Sequence, residues 1–91
     1  MKFFILYFTD KDGVTNELYL KGKSMNHMLE RIESYSNGIL SSSKGTLYMS
    51  ELTSAFLQEV NLNIYPNLSK RDFGIINENR SYNLNDLLSS D

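Results

Sequence analysis

Few residues in this chain could do chemistry, and the first is its one histidine, His27. Glu30 lies three positions on and Arg31 four, so all three share one side of any helix drawn through them. A transition-metal site needs two or three companion ligands, and the chain has no cysteine and no second histidine. His27 therefore reads as a solvated helix-surface residue. Serines are plentiful, but none sits in a Gly-x-Ser-x-Gly elbow and only His27 could act as its base.

Asp10-Lys11-Asp12-Gly13 opens like a calcium loop and then departs from one. Val14 takes the third ligand position, Thr15 the glycine position and Lys21 the position of the bidentate glutamate. It reads as a turn. Between Gly38 and Thr46 the order Lys44-Gly45-Thr46 inverts the Gly-Lys-Thr of a phosphate loop, with no strand ahead to aim it. The carboxylate pairs Glu30/Glu33 and Asp12/Glu17 fall in solvated contexts, without the burial that raises a carboxyl pKa for acid catalysis. No catalytic, cofactor-binding or metal-binding residue is expected, and no enzyme activity.

The elements that must position anything else begin with residues 2–23. Phe3, Ile5 and Tyr7 point to one side of a strand and Phe4, Leu6 and Phe8 to the other, a pattern that demands cover on both faces. Gly13 supplies the positive φ that closes a hairpin. From Thr15 the pattern alternates, with Leu18 and Leu20 on one side and Glu17, Tyr19 and Lys21 on the other, as in a half-solvated strand near an edge. Ser24 then caps a helix whose stripe is Met25, Met28, Leu29, Ile32 and Tyr35, and Asn37-Gly38 supplies a left-handed stop.

Beyond a flexible loop at Ser41–Gly45, Thr46–Met49 alternates like a short strand, with the opening of a helix that continues through Leu52 as the equal alternative. Leu52, Phe56, Leu57 and Val60 are spaced for a helical stripe, and Ala55, Gln58 and Glu59 favour helix, so a helix is expected from about Ser50 to Asn61. Pro66 ends what precedes it. Ser69 and Asp72 form a helix start, continued by Phe73–Ile76 as a short helix, with a strand as the alternative. Asn83 caps a last short helix carrying Leu84, Leu87 and Leu88.

The expected fold is α+β, one domain over residues 1–91: an N-terminal antiparallel β-hairpin with a helix packed on it, then a mostly helical C-terminal half. A ubiquitin-like (β-grasp) arrangement, which also opens with a hairpin and a helix, is the alternative. Ninety-one residues suffice for a modest core without staples, and 41% apolar residues are typical of a folded chain. The apolar run Phe3–Phe8 is too short for a secretion signal or a membrane span, and with no cysteine present a cytoplasmic location is expected.

Charge bears on partners. The net charge is −2; residues 1–43 carry five basic and five acidic side chains, and residues 44–91 carry four and six. Neither half has the positive surplus that nucleic-acid binding relies on. Even so, Ser50–Val60 followed by Ser69-Lys70-Arg71-Asp72-Phe73-Gly74 resembles the winged-helix segments at the C-terminal ends of some viral and phage primases. That resemblance implies a winged-helix-like segment at 50–82 with its helix pair at 50–77, Lys70 and Arg71 on phosphates near the second helix start and Arg80 on a wing. It ranks second.

The leading expectation rests on tyrosines. Tyr19, Tyr48, Tyr65 and Tyr82 sit where the local pattern expects solvent, and tyrosine is enriched at protein interfaces. Together with an open sheet edge they point to a protein partner or a homodimer, with no cofactor and no membrane. In size and in its Asn/Ser/Lys-rich composition the chain resembles many small phage or mobile-element proteins that inhibit or redirect host machinery.

Overall fold

Lys2–Asp10 forms β1 and Thr15–Gly22 forms β2, paired antiparallel from Lys2↔Gly22 to Thr9↔Thr15. The structure, a computed structural model, describes residues 1–35 and 38–77. Gly13 takes φ 83° at the turn, and the Asp10 carboxylate accepts from the amides of Asp12 (2.9 Å) and Val14 (3.0 Å). The calcium-like string is thus an Asx-type turn holding a hairpin.

Ser24 caps the helix α1, Met25–Ser34, its hydroxyl accepting from the His27 amide at 3.1 Å. Met28 and Ile32 are buried and Met25 and Tyr35 pack beside them, while Leu29 of the expected stripe stays exposed. The helix closes through the Tyr35 amide, which donates to the carbonyls of Ile32 and Glu33. Gly38 has no positive φ, so it is not the expected left-handed stop; Asn37 lies outside the described residues.

Ser41 and Ser42 belong to a strand rather than to a flexible loop. Ile39–Ser42 is β3 and Gly45–Tyr48 is β4, joined by the two-residue turn Ser43-Lys44. Ser42 is the buried polar residue of the core, and its hydroxyl donates to the Gly45 carbonyl and accepts from the Lys44 amide. Satisfying both roles removes the penalty of burying it.

The helix expected near Ser50–Asn61 is a strand: Leu52–Val60 is β5, antiparallel to β1 from Phe3↔Val60 to Thr9↔Ser54. Thr53 is an extra residue there, since Asp10 pairs with Leu52, and its hydroxyl bonds the Thr9 and Asp10 carbonyls at 3.2 and 3.3 Å. Beyond β5 the mostly helical C-terminal half is not present among the described residues. Ser69 and Asp72 do form the expected capping box, but it opens only a 3-10 turn, Lys70–Asp72. Residues 73–77 then run extended, the alternative reading, with Gly74 bridged to Leu20 and Ile76 to Ser42. The helix expected after Asn83 lies outside the described residues.

The main sheet therefore runs β2-β1-β5, with β1 central and covered on both faces as its sequence demands. On one face Phe4, Leu6, Leu18 and Leu20 pack against Met28 and Ile32 of α1, Leu40 and Leu47 of the hairpin, and Ile76. Each such side chain contributes about 1.5–3 kcal/mol when fully buried. On the other face Ile5 and Val60 bury Phe73, with Leu62 and Leu68 of the connecting loop beside them. The fold is α+β. Strands do return after the helix, but β5 runs antiparallel to β1, whereas a ubiquitin-like arrangement pairs its first and last strands in parallel.

Candidate interaction surfaces

Alternation along β1 places Phe3, Ile5 and Tyr7 on the face covered by residues 61–73. Phe73 anchors that cover, its ring 5.1 Å from Phe3 at 66° and 5.4 Å from Tyr19 at 55°. Toward the other end of the strand, Tyr7 and Phe56 stack with centroids 5.0 Å apart and planes at 23°. Phe56 nevertheless remains 63% exposed. Tyr65, exposed on the loop, lies close enough to Tyr7 to act on it electrostatically.

Tyr19 lies half-buried on this face, its hydroxyl donating to Glu17 at 2.6 Å. That bond, reinforced by burial and by the negative charge of Glu17, pushes the Tyr19 phenol up to about 12. The Tyr7 phenol is also raised, first by burial and then by Glu17 and Tyr65. Both rings are thus neutral hydrogen-bonding groups at ordinary pH.

Of the tyrosines singled out from sequence, the fold brings Tyr19 and Tyr65 to this one face. Tyr48, exposed on β4, belongs to the hairpin that covers the opposite face, and Tyr82 lies outside the described residues. Sequence reasoning missed Tyr7 and Phe56. Tyr7 reads as core because its strand is apolar throughout, and Phe56 reads as part of a helical stripe.

β5 is an outer strand, and among the described residues nothing pairs with its free side. Its one charged residue, Glu59, sits near the strand's end, in a long 3.9 Å ion pair with Lys2. The middle of the strand, Ser54–Gln58, carries no charge and no proline. Those are the usual devices that stop an edge from pairing with another chain. The outer side of β2 is different, since Gly74 closes part of it through bonds from the Lys21 amide to the Gly74 carbonyl (2.9 Å) and from the Gly74 amide to the Tyr19 carbonyl (3.0 Å).

Lys70 and Arg71 are exposed on the 3-10 turn, and Arg80 lies outside the described residues. With 52–60 a strand paired to β1, the helix pair that the primase resemblance implied does not exist there. The two residues have no helix to present them to a groove.

A different basic cluster forms where β2 meets α1. Lys21, Lys23, His27 and Arg31 line a groove of about 620 Å³, closed on its far side by residues 75–77. Among the described residues there is no set of three or more His, Cys, Asp or Glu side chains suited to a metal, and no helix is long and apolar enough to cross a membrane. Compared with protein-family models, curated proteins and solved structures, the chain matches none of them.

Proposed function

We propose that this protein is a small non-enzymatic interaction module that occupies the surface of a partner protein, in the manner of a phage or mobile-element inhibitor or modulator. The partner contacts the Tyr7–Phe56 end of the sheet and adds main-chain hydrogen bonds along the free side of β5. The observation that carries this reading is Phe56, an aromatic ring left 63% exposed on an outer strand whose centre lacks charge. Aromatic anchors beside unpaired backbone donors and acceptors are the chemistry of strand-addition interfaces. Tyr7 and Tyr65 flank the anchor with hydroxyls that suit a polar rim.

The test is affinity capture from the native host with wild type, Phe56→Asp and a Lys70→Ala/Arg71→Ala control. One protein recovered stoichiometrically with wild type and the control, and lost with Phe56→Asp, supports the reading. Recovery of no stoichiometric partner by the folded wild type, or equal recovery by Phe56→Asp, ends it.

A further inference from the structure

The groove between β2 and α1 gathers three of the chain's nine Lys and Arg side chains, with its one imidazole, in a molecule of net charge −2. Lys21 is next to last in β2, on the sheet face away from α1; Lys23 precedes the cap Ser24, and His27 and Arg31 stand one turn apart on the same side of α1. Among the described residues no aspartate or glutamate lines the groove, and none of the four forms an ion pair.

The position of these groups is built in. Gly22 lets α1 approach β2 so closely that a Cβ at that position would run into the Met28 sulfur. Residues 74–77 are held across from the helix by the bonds from Lys21 to Gly74 and from Asn77 to the Ser41 carbonyl (2.8 Å). The Arg31 guanidinium donates to the Ile76 carbonyl at 3.2 Å, which fixes its plane and leaves other N–H groups of the fork to meet a ligand. Across from the helix, exposed Ile75 supplies an apolar wall, while Met28 and Ile76, which also line the groove, are buried in the core.

We infer that this groove binds a small organic phosphate carrying two or more negative charges, its phosphate on Lys23, His27 and Arg31 and its organic body against Ile75. An arginine fork with a lysine point charge matches phosphate oxygens, and several cations suit a multiply charged group better than a single carboxylate. The volume falls within the range of small-molecule sites, about 300–1,000 Å³. A nucleic-acid strand needs cations spread along a track, whereas Lys2, Lys11, Lys44, Lys70 and Arg71 all lie outside this groove.

The experiment is an amide-resolved NMR titration of the full chain at low salt, with magnesium-free ATP and with inorganic pyrophosphate as probes. ATP shifts residues 21–31 and 75–77 saturably, and pyrophosphate shifts the same cationic residues more weakly because it leaves the apolar wall untouched. Lys23→Gln weakens ATP by several-fold, the scale of a lost charge-assisted contact. This variant leaves the spectrum folded, which avoids relying on Arg31, whose bond to Ile76 is structural. Lys70→Gln/Arg71→Gln binds as wild type. The inference is overturned by the absence of saturable shifts, by shifts centred on Lys70 and Arg71, or by equal binding in the Lys23→Gln variant. It is likewise overturned if a DNA duplex or a glutamate-rich peptide of matched charge binds these residues more tightly than ATP. Loss of ATP binding leaves capture through Phe56 untouched, so this groove and the partner surface fail separately.

Discussion

Phe73 meets Phe3 edge to face at 5.1 Å, joining a segment seventy residues along the chain to the first strand. Phe73 is 2% exposed and is the one large side chain that the loop after β5 buries in the second core. Phe73→Ala should cost about 3–5 kcal/mol, the range for emptying a buried aromatic site. Urea unfolding followed by far-ultraviolet circular dichroism reads this directly. A cost below about 1 kcal/mol would mean that residues 61–73 do not close that face.

Gly22→Ala tests the contact between β2 and α1. The added methyl must displace the sulfur of Met28, which is itself buried at 2% exposure, so a loss of about 1–3 kcal/mol is expected from overpacking. In the Met28→Ala background the same change should cost much less, because the clashing atom is gone. Additive losses in that double-mutant cycle would show that the two residues do not touch.

Ser24→Ala removes the hydroxyl that accepts from the His27 amide. The expected loss is about 1 kcal/mol, typical of an N-cap deletion, and Ser24→Asp should restore it. Thermal unfolding with a calorimetric check measures both. If aspartate fails to rescue, the cap is not the source of the effect.

Raising the pH isolates Tyr19. Its phenol is pushed from the ordinary 10 to about 12 in the folded state, so the folded form holds the proton more tightly than the unfolded form. That contribution is complete below pH 10 and is lost as the pH rises from about 10 to 12. A tyrosinate absorbance titration should therefore contain one late-ionising component that Tyr19→Phe removes. Glu17→Gln should move that component to lower pH, and an unchanged curve would contradict the role given to Glu17.

Much of the N-terminal half was readable because its signals are local. Six large apolar residues in a row at Phe3–Phe8, an Asx turn ending in Gly13, and a serine three residues ahead of the amide it caps each act within a few positions. The capping box of Ser69 and Asp72 was legible for the same reason, though not the length of what it opens. Leu52, Phe56, Leu57 and Val60 misled because their spacing fits a helical stripe. Backbone pairing with β1, more than forty residues away, overrides the local preference there.

The sequence by itself determined the central hairpin and the helix after it, since each depends on neighbours in the chain. Only tertiary structure decided that Ser50–Val60 includes an outer strand, that Phe56 rests on Tyr7, and that Lys21, Lys23, His27 and Arg31 share one groove. Those outcomes turn on which segments meet across the sheet, and strand pairing is a non-local choice that a residue's immediate neighbours do not encode.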